Sequence, residues 1–159
     1  MTGKIDIKPE PDVRGARYPK PFHEPCAGRA RWRLGDAAGL TQFGANLLRL
    51  EPGAWSSQRH WHEAEDEFVY VLKGEVVLVQ DAGETVLKAG DCAGFKAGDA
   101  DGHHLQNRSG EEAVVLEVGS RRPGEGAIDY PDIDLRFPKG AKGFAHRDGT
   151  PYGPDDFAE

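Results

Sequence analysis

The sequence lacks several features that define common protein classes. Only two of its 159 residues are cysteines, too few for a disulfide framework, and Cys26 and Cys92 lack the C-x-x-C spacing of a zinc or redox pair. No run approaches the roughly 18 apolar residues of a membrane span. The first residues, MTGKIDIKPEPD, contain no apolar core like that of a signal peptide. These absences predict a cytoplasmic protein with free thiols and no membrane partner.

Positive charge is also scarce. Twenty Lys and Arg residues stand against 27 Asp and Glu residues, which gives a formal net charge of −7 at pH 7. A surface of this sign repels phosphate backbones and anionic membranes, so nucleic-acid binding is not expected. The expected partner is a small-molecule ligand or substrate.

Glycine and proline are abundant. The chain has 21 Gly and 11 Pro, which together make 32 of 159 residues, or about 20% against a usual value of about 12%. Over residues 31–120 these turn formers separate short, β-branched apolar runs at the spacing of an antiparallel sandwich or barrel. No stretch of ten residues there has helical periodicity. The predicted fold is therefore all-β.

The two ends of the chain differ from this middle region. Residues 1–30 contain five prolines among charged residues and predict an extended N-terminal arm. Residues 121–159 are too apolar for a free tail and too irregular for a second domain. We expect them to form a wrap that packs on the barrel or on a partner subunit. Such extensions leave apolar surface and sheet edges to cover, which predicts a homodimer.

Residues 58–75, QRHWHEAEDEFVYVLKGE, carry the clearest chemical signal. His60 and His62 are two positions apart, so on a strand both imidazoles point to one face. Glu67 opens the next apolar strand. Two imidazoles and a carboxylate from adjacent strands are ligands for a divalent transition metal. A third imidazole from His103 or His104 would complete a site that keeps positions open for water or substrate.

The adjacent histidines of the later strand cannot both point inward, because neighbouring residues of a strand face opposite sides of the sheet. His103 shares its face with Leu105 and Asn107, whereas His104 shares its face with the polar Gln106. Alternation therefore predicts that His103 is the ligand and that the His104 face tolerates solvent. A bulge in the preceding loop, residues 98–102, would reverse this register.

The first stretch resembles the first motif of the cupin superfamily, G-x5-H-x-H-x3,4-E-x6-G. His60, His62, Glu67 and Gly74 match its spacing, while Gly53 lies one residue too early. The whole resemblance covers roughly residues 45–119.

The second cupin motif, G-x5-P-x-G-x2-H-x3-N, is also recognisable. It is matched by Gly90, Gly98, His103 and Asn107. Lys96 stands where proline is usual, and four residues rather than two separate Gly98 from the histidine. The resemblance thus selects His103 over His104 independently of the alternation.

The resemblance implies a jelly-roll barrel (a double-stranded β-helix) of two antiparallel sheets, often dimeric. It implies one divalent metal ion, of zinc, manganese, iron, nickel or cobalt, held by His60, His62, Glu67 and His103. The sequence is also similar to single-domain bacterial cupins that are described as sugar-phosphate-isomerase-like.

The fold alone does not determine the reaction, so the reaction must be inferred from the residues of the site. A metal with open positions can chelate a hydroxy-carbonyl compound and stabilise developing negative charge, which suits an isomerase with Glu67 or His104 as base. The same open positions on Fe(II) would suit a dioxygenase. A non-catalytic small-molecule-binding cupin is the third interpretation.

Four further residues near the motifs are candidates for binding the substrate. Arg49, Arg59 and Lys96 could hold a phosphate group, and Tyr70 could line the pocket. Aromatic residues in strands more often belong to a core, and isolated cations more often belong to the surface.

Overall fold

Short antiparallel strands carry nearly all of the regular structure in the computed structural model, which describes residues 3–158. The strands are β1 (Val13–Arg14), β2 (Arg29–Trp32), β3 (Phe43–Leu50), β4 (Trp61–His62), β5 (Glu67–Lys73), β6 (Glu75–Gln80), β7 (Gly83–Lys88), β8 (Cys92–Phe95), β9 (His104–Gln106), β10 (Ala113–Ser120), β11 (Ile128–Tyr130) and β12 (Leu135–Phe137). Helical structure is confined to one α-turn, Leu34–Ala37, and two 3-10 turns, Glu24–Cys26 and Pro154–Asp156. The all-β prediction is confirmed.

No helix among residues 3–158 is both long enough and apolar enough to cross a membrane.

The strands form three sheets. The largest has the order β1-β2-β3-β10-β5-β8, the second has the order β7-β6-β9, and the third has the order β12-β11-β4. Every pairing is antiparallel. Hydrogen bonding does not close the described strands into one continuous barrel, since β1 and β8 are edge strands. The third sheet, which the sequence did not predict, forms because β11 pairs with the short strand β4.

The first two sheets pack face to face around what we call the sandwich core. Its members alternate along the strands, as residues that share one face of a sheet must. They are Leu48, Leu50, Ala54, Val69, Val71, Val76, Leu78, Leu87, Leu105, Ala113 and Val115. Burying each of the larger aliphatic side chains stabilises the fold by about 1.5–3 kcal/mol.

The inner face of the large sheet changes character along its strands. On β5 the buried Val71 and Val69 are followed at the same alternation by Glu67, and on β10 the buried Val115 is followed by Glu117. Both carboxylates line a cavity at this end of the sheet. The same strands therefore build an apolar core at one end and a polar site at the other.

Gly74 connects β5 to β6 and is required by its conformation. Its φ is +74°, and an added Cβ would lie 2.8 Å from the carbonyl oxygen of Glu112. An L side chain is strained in that region, and the close backbone leaves no space for one. The glycine thus permits the tight turn that follows the strand beginning at Glu67.

The two ends of the chain pack together rather than extending freely. Tyr18, Cys26, Tyr130 and Leu135 form a second hydrophobic cluster, here called the terminal cluster. The expected extended arm is wrong for Tyr18 and Cys26, which are buried because they meet apolar residues from far along the chain. Strand β2 also crosses the predicted boundary at residue 30 and belongs to the large sheet.

Both cysteines are free, as predicted. Cys26 is fully buried in the terminal cluster, whereas Cys92 is exposed. The expectation that Cys92 would be a small buried thiol is wrong, because it begins the edge strand β8.

Candidate metal site and cavity

The three predicted histidine ligands lie around the carboxylate of the fourth, Glu67. His60 immediately precedes β4, and His62 is its last residue. Glu67 opens β5, and His103 immediately precedes β9. Oε2 of Glu67 is 2.8 Å from Nε2 of His103 and 3.4 Å from Nε2 of both His60 and His62. Three imidazoles therefore surround one carboxylate oxygen, and we call this group the His/Glu cluster.

Backbone pairing brings the two motifs together. The amide of His103 donates to the carbonyl of His60 at 2.9 Å, and the amide of His60 donates back at 3.2 Å. This isolated antiparallel bridge aligns residues that are 43 positions apart in the sequence.

Neighbouring groups aim the ring nitrogens at the cluster. Nδ1 of His60 donates to the carbonyl of Gln58 at 2.9 Å, which leaves the Nε2 lone pair free. Nδ1 of His62 lies 3.3 Å from a carboxylate oxygen of Glu65. Such outer hydrogen bonds fix the tautomer of metal-ligating histidines. The ring of Phe95 stacks in parallel on His103 with 3.5 Å between the centroids.

The electrostatics favour an ionised carboxylate. Burial alone would raise the pKa of Glu67, but His60 and the hydrogen bonds from all three histidines outweigh it and hold this pKa well below its usual range. Burial similarly opposes a charge on His62, yet Glu67 and Glu65 raise its pKa overall. Burial dominates at His103 and lowers its pKa.

The separations fit a bound transition metal. When each ligand atom lies about 2.1 Å from an ion, adjacent ligands of an octahedron are about 3.0 Å apart. The observed contacts to Glu67 Oε2 span 2.8–3.4 Å. His60, His62 and Glu67 each offer one ligand atom within 4.8 Å of the others. His103 lies outside this group of three and contacts it through Glu67, at 2.8 Å. Three imidazoles with one carboxylate suit zinc, iron, manganese, cobalt or nickel.

A cavity of about 720 Å³ opens beside the cluster. One wall is formed by β2 and the residue after it, where Arg29, Arg31 and Arg33 occupy alternate positions and line the cavity. Arg31 pairs with Glu117 across the sheet, with 2.9 Å between Nε and Oε2. Sequence reasoning missed this row, although the alternation in RARWR was a readable signal.

Comparison with known proteins agrees with this geometry. A family model described as a cupin domain matches residues 46–119. A crystal structure named sugar phosphate isomerase from a cupin superfamily, from Silicibacter pomeroyi DSS-3, is 45% identical with a TM-score of 0.86, covering 98% of this chain and 100% of that chain. The chain belongs to the cupin superfamily.

Two other solved structures extend the comparison. A protein assigned as a sugar phosphate isomerase, from Acidithiobacillus ferrooxidans ATCC 23270, is 28% identical with a TM-score of 0.73, covering 89% of this cupin and 90% of that chain. An oxalate oxidase in complex with the substrate analogue glycolate shares the fold at 22% identity and a TM-score of 0.51, covering 65% of this cupin and 55% of that chain. The search of curated proteins found no match.

His104, the other base expected from the sequence, lines the cavity of this cupin, but both of its ring nitrogens are bonded to other groups. Its Nδ1 donates to the carbonyl of Ser57 at 2.9 Å, and its Nε2 accepts from the amide of Gln106 at the same distance. Burial lowers the pKa of His104 to about 4. The expected solvent-tolerant face is wrong, since His104 and Gln106 are buried where Trp55 packs edge-on against the imidazole.

Two predicted phosphate-binding arginines are engaged elsewhere. Nε of Arg59 donates to Asp132 at 2.7 Å, and the same guanidinium also contacts Asp81. Arg49 lies 3.3 Å from Glu112 and stacks over Trp32. Neither lines the large cavity. Intramolecular carboxylates thus replace the expected phosphate.

Tyr70 and Lys96 also differ from expectation. Tyr70 is 38% exposed on the outer face of β5, because it is one residue out of phase with the inward-facing Val69 and Val71. Lys96 lines a small recess of about 40 Å³ that also borders Glu67 and His103. Lys96 is therefore near the cluster but outside the main cavity.

Asn107, the last residue of the second motif, has a structural position. It is fully buried, and its amide nitrogen donates to the carbonyls of Leu50 at 2.9 Å and Glu111 at 2.7 Å. These bonds fasten the segment that follows β9 to the end of β3 and to the turn before β10.

Proposed function

We propose that this cupin binds one divalent transition metal through His60, His62, Glu67 and His103. We further propose that it acts on a small hydroxy-carbonyl substrate as an isomerase-like enzyme. The convergence of three Nε2 atoms on one carboxylate oxygen carries the proposal. The similarity to structures named as sugar phosphate isomerases supports the reaction class.

The cavity residues suggest how the chemistry is divided. When bound, the metal would act as a Lewis acid that polarises a substrate carbonyl. Interconversion of an aldose and a ketose also requires a base that moves a proton between neighbouring carbons. The two bases expected from the sequence are poorly placed, because Glu67 is surrounded by imidazoles and both ring nitrogens of His104 are bonded.

Glu117 fits the role of base better. Its carboxylate lines the cavity with the cluster, and Arg31 holds it in place through contacts of 2.9 and 3.1 Å. The ion pair with Arg31 fixes the orientation of the Glu117 carboxylate. Glu117 is not one of the proposed metal ligands. We assign Glu117 as the proton acceptor of the proposed reaction.

Metal content tests the ligand set. Protein purified without metal-chelating resin should contain about one transition-metal ion per chain by elemental analysis, and the His60→Ala/His62→Ala variant should contain almost none. His146→Gln is the matched control, since His146 pairs with Asp134 and stacks on Tyr152 outside the cluster. Full metal occupancy in the double variant would refute the assignment.

Proton transfer tests the reaction. Wild-type protein incubated with aldose and ketose substrates in D₂O should introduce deuterium next to the carbonyl, as followed by NMR. Glu117→Gln should retain its metal but lose about 10²–10⁴-fold in rate. An unchanged rate in that variant would exclude Glu117 as the base, and absence of exchange with every substrate would contradict the isomerase proposal.

We propose that the protein forms a homodimer through the outer face of β5. Phe68, Tyr70 and Leu72 on the outer face of β5 are 42%, 38% and 49% exposed, and a second copy of the chain would cover this apolar stripe. Light scattering should give a dimer at micromolar concentration and a monomer for Leu72→Glu. Val86→Glu, on the second sheet and 51% exposed, should remain dimeric. A monomeric wild type would refute the proposal.

The cytoplasmic location stays a prediction.

A further inference from the structure

Arg29 is a buried cation without a carboxylate partner. It is only 8% exposed, its Nε donates to the carbonyl of Gly15 at 2.9 Å, and its Nη1 donates to the carbonyl of Ser56. Its Nη2 makes no hydrogen bond with a residue in the range 3–158. Buried charges are normally paired, so a guanidinium in this setting calls for an anion.

The remaining charges of the cavity do not supply that anion. Among the acids of its wall, Glu117 pairs with Arg31 and Asp36 pairs with Arg121. Glu65 contacts His62, and Glu67 lies within the His/Glu cluster.

Two more arginines of the same cavity lack an ion-pair partner. Arg17 and Arg33 line the cavity, and neither side chain makes an ion pair within the described part of the chain. The cavity thus holds three uncompensated cations in a protein whose net charge is −7.

Arg29 lies close to the cluster. The carbonyl that accepts from its Nη1 belongs to Ser56, and the neighbouring Ser57 places its hydroxyl 3.3 Å from Nδ1 of His60. An anion on Arg29 would therefore sit in the wall that leads to the metal ligands. Strand β2 runs from Arg29 through Arg31 to Trp32, and Arg33 follows it directly.

We infer that three arginines of this cavity form a binding site for a phosphoryl group, with Arg29 as its main donor and Arg17 and Arg33 supplying further positive charge. Arginine suits phosphate because its planar fork donates two parallel hydrogen bonds. Three unpaired guanidinium groups match a dianion better than a neutral sugar. Only the statement that the phosphorylated molecule is the substrate rests on the proposed function, since the anion site itself does not require the metal.

Calorimetric titration with inorganic phosphate tests the site. Protein freed of metal with a chelator is used, at constant ionic strength, so that phosphate cannot bind an ion. Wild type should bind one phosphate, and Arg29→Gln should bind it at least tenfold more weakly. Arg29→Lys, which keeps the charge but not the fork, should fall between them.

The matched control is Arg108→Gln. Arg108 is exposed, pairs with Glu84 at 2.7 Å and does not line the cavity, so its removal changes the net charge equally without touching the site. Its phosphate affinity should equal that of wild type. An equal loss in this control would show a general charge effect and overturn the proposal.

A second variant protects the test against misfolding, because Arg29→Gln removes two hydrogen bonds to the backbone. Arg17→Gln/Arg33→Gln alters only exposed side chains and should weaken phosphate binding about fivefold or more. Unchanged affinity in this folded variant, or no phosphate binding by wild type, would overturn the proposal. Acetate binding as tight as phosphate binding would also overturn it, since the site would then be one for carboxylates.

Metal analysis of each preparation before the chelator is added keeps the two proposals separate. Protein that holds its metal but binds no phosphate contradicts only the phosphoryl site. Protein that binds phosphate in an arginine-dependent way but holds no metal supports the phosphoryl site and contradicts only the metal proposal.

Discussion

The sandwich core and the terminal cluster differ in composition and in origin. The sandwich core is wholly aliphatic and comes from strands between residues 48 and 115. The terminal cluster combines Leu135 with the ionisable Tyr18, Cys26 and Tyr130, and it joins segments from the two ends of the chain. Burial raises the pKa of Tyr18 to about 12 and that of Cys26 to about 11.

This difference separates two tasks at the candidate site. The strands that fill the sandwich core also position Glu67, because Glu67 continues the inward alternation of Val69 and Val71. The terminal cluster covers the site from the other side, where Tyr130 stacks on His60 with 5.7 Å between ring centroids. The sandwich strands position Glu67, whereas His60 and His62 lie at β4, in the same sheet as the terminal-cluster residues Tyr130 and Leu135.

The largest effect on stability is expected from a cavity in the sandwich core. Leu48 is fully buried, so Leu48→Ala should lower the free energy of unfolding by about 2–5 kcal/mol in urea titrations of metal-free protein. Val86→Ala is the control, since Val86 is 51% exposed and its loss should cost no more than about 0.5 kcal/mol. Equal losses in the two variants would contradict the assignment of Leu48 to the core.

Metal removal should have the next largest effect. A ligand that binds only the folded state at 100 times its Kd stabilises that state by about 2.7 kcal/mol. A chelator should therefore lower the melting temperature of wild type but leave that of His60→Ala/His62→Ala unchanged. The same chelator-induced shift in both proteins would contradict binding at the His/Glu cluster.

Local sequence patterns were sufficient for the sandwich and for the grouping of the proposed ligands. Short apolar runs separated by turn formers predict the sandwich, and two histidines at positions i and i+2 must share a face. His103, which strand alternation places on the face of Leu105, lies 2.8 Å from Glu67. Each of these inferences depends on residues that are neighbours within one or two strands.

Long-range partners could not be predicted in this way. Arg59 has the residue type of a phosphate ligand, but Asp132, 73 positions later, binds its guanidinium. The terminal cluster likewise depends on Tyr18 meeting Tyr130 across the chain, with 5.7 Å between their ring centroids. The sequence analysis missed Arg29 and Arg31 as cavity residues, because their role depends on which face of β2 meets the cavity.

Alkaline pH should weaken the terminal cluster specifically. The folded state raises the pKa of Cys26 from 9.0 to about 11, so its contribution to stability is complete below pH 9 and is lost as pH rises towards 11. At pH 10 the expected loss is about 1.4 kcal/mol. Between pH 8 and pH 10, the unfolding free energy of wild type should fall by about 1.4 kcal/mol more than that of Cys26→Ala. Parallel pH profiles would show that the Cys26 thiol is not responsible.

The smallest effect on stability is expected from a substitution at the second cysteine, Cys92. This substitution also allows opening of the terminal cluster to be measured separately from unfolding of the sandwich core. Cys92 is exposed on the edge strand β8, so Cys92→Ser should change the unfolding free energy by no more than about 0.5 kcal/mol. The variant keeps Cys26 as its one thiol, which burial and a raised pKa protect from alkylation at pH 8. Regions of a protein can open independently. If the terminal cluster opens alone, Leu48→Ala introduced into this variant should leave the rate of Cys26 labelling unchanged. If labelling accelerates in proportion to the lost stability, the terminal cluster opens only when the sandwich core unfolds, and the two regions form one cooperative unit.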